Sequence, residues 1–164
     1  MHFGRNNPRY PYTMNGVRLE TTEEEKDLGV LICSNLKVGK QCERAAKTGM
    51  SVLAQLLRAF TYRSKSTLPK LFQTYMRPHL EYAIQAWSPW QVGDVDELEK
   101  VQKKMVSAVT GLAGTTYEEK LAELGMLTLS ARRAMLDLQQ AYKIISKQED
   151  LEPTTWFQNW RPGD

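Results

Sequence analysis

The stretch from Leu71 to Gln102 constrains the fold of this chain most, because it concentrates aromatic residues, prolines and residues that cap helices. Its large apolar side chains recur at spacings of three and four residues, which places them on one face of helical structure. These side chains are Leu71, Phe72, Tyr75, Met76, Leu80, Ala83 and Trp87. We expect this face to be buried, with Tyr75 and Trp87 contributing much of the buried area because of their size.

Prolines and capping residues predict where the helices of this stretch begin and end. Pro78 has no backbone N–H and disfavours helical geometry in the residue before it, so we expect the helix to stop and restart with Pro78 in its first turn. The Ser-Pro pair at 88–89 ends the second piece. Asp94 with Glu97 forms the pattern of a capping box that opens the next helix, and Gly111 is its expected C-terminal stop.

The N-terminal part reads as β-structure. Two short extended runs flank Asn15-Gly16, the residue pair that best tolerates the positive φ of a two-residue hairpin turn. The apolar run Leu28–Cys33, which follows an acidic loop over 20–27, predicts a further strand, and Met1–Phe3 is a candidate remnant of another.

From about Val38 the apolar period becomes helical. The predicted buried stripe of this long amphipathic helix is Cys42, Ala45, Ala46, Gly49, Leu53, Leu56, Leu57 and Phe60. Ser66 or Thr67 is the expected cap of the next helix. Further on, the capping box of Thr116 and Glu119 predicts a short helix that ends at Gly125.

The last long helix is expected to begin at Thr128 or Ser130 and to run through Ile145. Its predicted buried edge is Ala131, Met135, Leu138, Tyr142 and Ile145. Beyond Lys147 the periodicity stops, and the sequence predicts a mobile tail.

Charge is distributed unevenly along the 164 residues, although the net charge is only +3. Five acidic residues and Lys26 lie between positions 20 and 27, whereas nine Lys or Arg residues and one acid, Glu43, lie between positions 37 and 79. A basic block of this kind is typical of contact with a polyanion such as nucleic acid.

The sequence offers little to bind metal or to perform catalysis. Cys33 and Cys42 are the two cysteines, which excludes a disulfide scaffold, and Cys42 on the apolar stripe is interpreted as a small core residue. Asp94 with Asp96, and the triplet Glu23–Glu25, are interpreted as a helix cap and a solvated loop. We therefore predict no catalytic residue, no metal site and no cofactor.

Neither a signal peptide nor a membrane-spanning run is recognisable. The first residues lack an apolar core, and no apolar run approaches the roughly 20 residues of a membrane span. The expected compartment is the nucleus or the cytoplasm, without membrane association.

A family resemblance is carried by the central stretch. The run RPHLEYAIQAWSP followed by DVDELEKVQKKM strongly resembles the region downstream of the polymerase palm in non-LTR (LINE-type) retrotransposon reverse transcriptases, particularly the jockey-like group. Upstream, KDLGVLICSNLK resembles the segment that links palm to thumb, and downstream, YEEKLAELGMLTLSARRAMLDLQQAYKII resembles the C-terminal helices of that family. The ordered matches cover nearly the whole chain.

The resemblance implies a fragment of an RNA-directed DNA polymerase, comprising the palm end, the thumb and the following helices. The family's catalytic aromatic-x-Asp-Asp turn normally precedes this region, and the sequence contains no adjacent Asp pair. The resemblance thus implies that this chain alone is not an enzyme and that the Mg²⁺ of the parent polymerase belongs to missing upstream palm and fingers domains. In the family, the thumb region grips the primer-template duplex.

Taken together, these patterns predict a mainly α-helical fold with a small N-terminal β-hairpin element. We expect a palm-sheet remnant over 1–36, a thumb-like helical bundle of about five helices over 37–147, and a flexible tail over 148–164.

The expected partner is RNA·DNA hybrid or DNA duplex, bound without sequence preference. The candidate nucleic-acid-binding residues are Lys37, Lys40, Arg44, Lys47, Arg58, Tyr62, Arg63, Lys65, Lys70 and Arg77. Tyr62 is the aromatic residue expected to be free to stack on bases, whereas Tyr75, Tyr82, Trp87 and Trp90 are expected to pack in the core.

Three alternatives stay open. The basic residues are also what the solvated faces of ordinary amphipathic helices carry. A second alternative is a domesticated or leftover helical module for protein interaction, which self-associates through an exposed sheet edge and an aromatic tail and has no role in nucleic-acid binding. The third is a reading frame without a selected function.

Overall fold

The N-terminal region contains two separate β-hairpins in a computed structural model that describes residues 1–4 and 6–157. The first hairpin pairs β1 (Thr13–Met14) with β2 (Val17–Arg18), and its turn is Asn15-Gly16 with both φ angles positive, as predicted. The second pairs β3 (Glu24–Asp27) with β4 (Val30–Cys33) in antiparallel register.

The second hairpin corrects two expectations. Part of the predicted acidic loop is strand β3, which is exposed along its whole length and pairs with the apolar strand β4. An exposed strand needs no apolar alternation, so its composition gave no strand signal. Met1–Phe3, a candidate strand, has no strand conformation.

The remainder is mainly helical, which confirms the predicted fold class. The helices are α1 (Gly39–Ala59), α2 (Leu68–Leu71), α3 (Arg77–Glu81), α4 (Ile84–Trp87), α5 (Val92–Ser107), α6 (Tyr117–Glu123), α7 (Leu129–Ile145) and α8 (Pro153–Trp156), and a π-helical turn, Phe72–Met76, joins α2 to α3. Within the described part of the chain, no helix combines the length and the apolar character needed to cross a bilayer.

The core lies where α1 packs against α5 and α3, with Phe72 and Met76 of the π-helical turn fully buried in it and β4 at its edge. Cys42 and Leu53 of α1 are buried there, as predicted. The predicted stripe fades towards the C-terminal end of α1, where Leu56 and Leu57 are only half-buried and Phe60 is exposed.

The chain stays helical through Pro78 instead of breaking. The backbone N–H of Arg77 donates to the carbonyl of Phe72, five residues earlier, and Pro78 follows in the first turn of α3. A wider turn accommodates a residue that has no N–H to donate and whose ring would otherwise meet the preceding turn. The predicted restart at Pro78 is therefore a change of hydrogen-bond spacing without a gap.

The helical segment after Pro78 is interrupted earlier than predicted. Ala83 has φ of 50° and separates α3 from α4, which then ends at Trp87 before Ser88-Pro89, as expected. Trp87 is buried, and its indole N–H donates to the carbonyl of Tyr82 at 2.8 Å.

Three aromatic residues predicted to pack in the core are exposed instead: Tyr75, Tyr82 and Trp90. The buried line follows Leu68, Phe72, Met76 and Leu80 at four-residue spacing, and Tyr75, one residue before Met76, lies off this line. Trp90 lies in the connection between α4 and α5.

Capping predictions have mixed outcomes. The capping box at Thr116 and Glu119 is present, and Thr128 caps α7 by accepting the N–H of Ala131 at 3.1 Å. The box at Asp94 and Glu97 was wrong, because the N-cap of α5 is Gln91, three residues earlier, and Asp94 already lies in the first turn.

Two other helix boundaries also differ from prediction. Neither Ser66 nor Thr67 caps α2 through its side chain. In the turn before α2, Ser64 Oγ accepts the N–H of Thr67 at 3.1 Å. Helix α5 ends at Ser107, before the predicted stop, Gly111.

The buried face predicted for α7 was wrong. Met135, Leu138, Tyr142 and Ile145 are all exposed, as is Ala131. The side chains that α7 buries are Leu129, Arg133 and Ile144. The apolar pattern gave the length of the helix correctly but marked the side that no other described element covers.

The predicted flexible tail begins within the described residues and includes the short helix α8. Residues 158–164, the remainder of that predicted tail, lie outside the described residues.

Candidate nucleic-acid interface

Four of the candidate residues form one surface of α1, here called the α1 outward face: Lys40, Arg44, Lys47 and Arg58. At about 100° per residue, their positions fall within roughly 60° of arc around the helix. The buried residues of α1, such as Cys42, Gly49 and Leu53, lie on the opposite side against α5 and α3. The packing of α1 therefore turns these four basic side chains outward together.

The α1 outward face is long and holds few acids. The rise of 1.5 Å per residue separates Lys40 from Arg58 by about 27 Å. Glu43 lies at its edge, where its carboxylate is 3.7 Å from the ammonium of Lys47. Both side chains are mostly exposed, so this ion pair is weak and easily exchanged for another anion.

The second hairpin holds the N-terminal end of this face. Lys40 pairs with Glu24 of β3, and this hydrogen bond and the nearby negative charge raise the pKa of Lys40. Arg44 Nη1 donates to the carbonyl of Gly29 at 3.3 Å. The hairpin thus orients two of the four cations, while Arg58 at the far end is exposed.

The connection between α1 and α2 uses its basic residues differently. Arg63 Nη2 donates to the carbonyl of Leu57 at 2.9 Å, and the Arg63 carbonyl accepts the N–H of Thr110 at 2.9 Å. The Arg63 side chain therefore caps the C-terminal end of α1, where a cation satisfies terminal carbonyls and complements the helix dipole.

Tyr62 and Lys65 lie in the same connection. Tyr62 is 78% exposed, as predicted for a residue free to stack on bases, and it follows Arg58 by four residues. Lys65 pairs with Glu123 of α6, so its ammonium is already engaged by a carboxylate.

The other three candidates lie on separate elements. Lys37 is exposed in the loop before α1, and Lys70 is exposed on α2. Arg77 is half-buried with its guanidinium 5.8 Å from the ring centre of Phe72. Burial, and secondarily the charge of Arg132, lowers the pKa of Arg77. The ten candidates therefore do not form one surface.

Ser51 and Gln55 complete the α1 outward face and were missed in the sequence. Both are exposed and lie between Lys47 and Arg58, Ser51 within the same arc and Gln55 about 20° beyond its edge. The helical spacing from Lys40 was sufficient to identify them, but selection by charge passed over neutral hydrogen-bonding side chains. Groups of this kind contact phosphate and sugar oxygens in nucleic-acid complexes.

The arrangement is suited to charge neutralisation. A row of flexible cations on a convex helix can meet phosphates but presents no fixed fork of donors to base edges. Within residues 1–4 and 6–157, no group of three or more His, Cys, Asp or Glu side chains is placed to hold a metal ion.

Comparison with known proteins finds similarity to an uncharacterized protein. No family model matches the chain, and no solved structure matches it. The chain is similar to the uncharacterized protein B0403.1 of Caenorhabditis elegans, with 24% identity over 123 residues, which cover 73% of this chain and 62% of the relative. The chain thus spans less than two thirds of the length of the curated relative that it matches.

Proposed function

We propose that this chain binds the phosphate backbone of RNA·DNA hybrid or DNA duplex, without sequence preference, through the α1 outward face. The observation that carries the proposal is the grouping of Lys40, Arg44, Lys47 and Arg58 within roughly 60° of arc on the side of α1 opposite the core. The proposal is supported by the exposure of Lys40, Lys47 and Arg58, and Arg44 is half-exposed. It is also supported by the weakness of the surface ion pairs that this face would exchange for phosphate.

The dimensions of the α1 outward face suit a duplex. Phosphates along one strand advance about 3.4 Å per step of the helix axis, so a face of about 27 Å matches roughly eight steps. Four cations that each neutralise one phosphate release counterions, which makes binding weaken as salt rises. The expected slope of log K against log salt is about −3.6 for B-DNA.

The wider role follows from the family resemblance. We infer that the chain is the thumb-like part of a non-LTR reverse transcriptase, which holds primer and template while the carboxylates and Mg²⁺ of the parent polymerase perform nucleotide addition. The sequence has no adjacent Asp pair to supply that chemistry. In this proposal the chain grips nucleic acid and does not itself extend a primer.

The test is a salt titration of binding. The affinity of the full chain is measured by fluorescence anisotropy between about 50 and 200 mM salt, with several labelled RNA·DNA hybrids whose sequences are unrelated to one another. In the Lys47→Glu/Arg58→Glu variant, loss of two phosphate contacts is expected to lower the affinity at least about tenfold and to reduce the slope to about −1.8. Circular dichroism checks that the variant remains helical.

The matched control is Lys104→Glu/Lys147→Glu, which changes the net charge equally at exposed positions outside α1. It is expected to retain most of the affinity. Equal losses in the two variants would show a general charge effect and contradict an interface on α1. Binding that does not change with salt would contradict phosphate contact altogether.

A further inference from the structure

The outer surface of α7 is apolar where a solvated helix is normally polar. Met135 is 46% exposed, Leu138 71%, Tyr142 64% and Ile145 59%. With Ala131 these residues form what is here called the α7 outer face. It lies opposite the side of α7 that contacts the rest of the chain through Leu129, Arg133 and Ile144.

The charges of α7 all lie on the inner half of the helix. An α-helix turns by about 100° per residue. On this basis the charged side chains all lie within roughly 80° of the direction opposite the α7 outer face; they are Arg132, Arg133, Asp137 and Lys143. Arg132 is held there by two hydrogen bonds to Glu81, at 2.7 and 3.0 Å. An amphipathic surface helix normally has the reverse arrangement, with its charges facing water.

The spacing of the α7 outer face is that of a helix-pairing surface. Its residues follow one another at intervals of four, three, four and three, which is the 3.5-residue repeat of two helices packed side by side. The flanking positions carry Ala134, Gln139 and Ala141. Two small residues at the flanks allow a second helix to approach closely, and no charge lies between.

The properties of this surface suit a second copy of the same surface. The outer half of α7 holds no charged residue, so pairing it with itself brings no like charges together. Its four large side chains expose roughly 400 Å² of area in one copy. Two copies with their flanks would bury about 1,000 Å² in total, which is the lower limit of a specific interface.

Antiparallel pairing fits these residues best. The two α7 helices are taken to cross at the level of residue 140 along their axes. Leu138 of one copy then lies opposite Tyr142 of the other, and Met135 lies opposite Ile145. Each large apolar side chain then meets one of different shape, and the two helix dipoles are aligned favourably. Parallel pairing would place Tyr142 against Tyr142.

We propose that two copies of this chain associate through their α7 outer faces as an antiparallel helix pair centred at Gln140. This association involves none of the residues of the α1 outward face and needs no nucleic acid. An interface at the lower limit of the specific range is expected to give a reversible dimer whose population rises with concentration.

The test is light scattering after size-exclusion chromatography, without nucleic acid, over about 1 to 100 μM chain. The mass is expected to rise from one chain, 18.8 kDa, towards two chains as concentration increases. Leu138→Lys/Tyr142→Lys is expected to stay at one chain throughout while retaining its helical circular dichroism.

The control is Leu28→Lys/Val92→Lys, which places the same charges at apolar side chains that are 85% and 77% exposed on other elements. It is expected to dimerise like the parent chain. A parent chain that remains monomeric at the highest concentration would overturn the proposal, as would a dimer that survives in Leu138→Lys/Tyr142→Lys.

The orientation is tested by oxidising a mixture of two variants, Leu138→Cys and Tyr142→Cys. Antiparallel pairing is expected to give mainly the mixed disulfide between position 138 of one chain and position 142 of the other, identified by mass spectrometry. A predominance of the two symmetric disulfides would overturn the antiparallel arrangement.

Discussion

At the scale of single residues, the most constrained site is a buried polar cluster that joins α5 to α6 and α7. The hydroxyl of Tyr117 donates to Glu99 and accepts the side-chain N–H of Gln102 at 3.0 Å. Glu99 Oε1 also accepts the N–H of Leu129 at 3.2 Å, and Gln102 donates to the carbonyl of Leu127 at 2.8 Å. Glu99 and Gln102 are buried, Tyr117 is half-buried, and the three side chains depend on one another for their hydrogen bonds.

Tyr117→Phe is expected to destabilise the chain by about 1 to 3 kcal/mol. Removing the hydroxyl leaves the carboxylate of Glu99 without its side-chain donor in a buried place, and an unsatisfied buried polar group costs about that much. Urea unfolding followed by circular dichroism measures the change. The control is Tyr62→Phe, whose hydroxyl is on a side chain that is 78% exposed, with an expected change below about 0.5 kcal/mol.

The same cluster predicts a dependence on high pH. Burial and the hydrogen bond to Glu99 raise the pKa of Tyr117, so the folded chain keeps this proton where the unfolded chain has lost it. Stability from this group is complete below about pH 10 and falls as pH rises further. The fall should be shallower in Tyr117→Phe, and parallel curves for the two proteins would contradict the cluster.

At the scale of secondary-structure elements, the two hairpins show what can be read from sequence. Both turn through two residues with positive φ: Asn15 and Gly16 in the first hairpin, Leu28 and Gly29 in the second. Asn-Gly is the strongest short signal for this turn, so the first hairpin was predicted. Leucine rarely adopts positive φ, so β3 was missed although β4 was expected.

Leu28→Asn is expected to stabilise the chain by about 0.5 to 1 kcal/mol. The substitution places at φ of 43° a residue that tolerates the left-handed region, and the leucine side chain that it removes is 85% exposed. The gain counts towards global stability because β4 is packed in the core through Val30. Urea unfolding measures it, with Met14→Asn in strand β1 as the control, and a loss of stability in Leu28→Asn would show that the turn is not strained.

Helix α7 shows what the spacing of apolar residues can and cannot predict about a helix. Its extent, and Thr128 as one of its two expected caps, were predicted from local signals. Its buried side was not predicted, because burial depends on which neighbouring element covers a face. The buried residues Arg133 and Ile144 do not form an apolar repeat as regular as that of the exposed residues. Similarly, the α1 outward face followed from helical spacing, whereas the engagement of Arg63 and Lys65 by distant partners, Thr110 and Glu123, could not.

At the scale of the whole molecule, the fold depends on how closely three helices meet. Gly49 of α1 faces α3 and α5, and a Cβ at this position would lie 3.1 Å from Leu80 Cδ2 and 3.3 Å from Val101 Cγ1. The sequence placed Gly49 on the buried stripe, but it could not give the distance between the helices. That distance results from the summed volumes of residues far apart in the chain.

Gly49→Val is therefore expected to destabilise the chain by about 1 to 3 kcal/mol, although valine has the higher helix propensity. The added atoms must push α1 away from Leu80 and Val101, which are both buried and close-packed. The matched control is Gly93→Val in the first turn of α5, where a Cβ would meet no atom within 4 Å. That variant should change the free energy of unfolding by less than about 0.5 kcal/mol, since the added side chain projects into open space and displaces no neighbouring atom. Urea unfolding measures the free energy of unfolding of both variants. Similar values would mean that α1 does not pack on α3 and α5 through Gly49. In that case this packing would not be what turns the α1 outward face towards solvent.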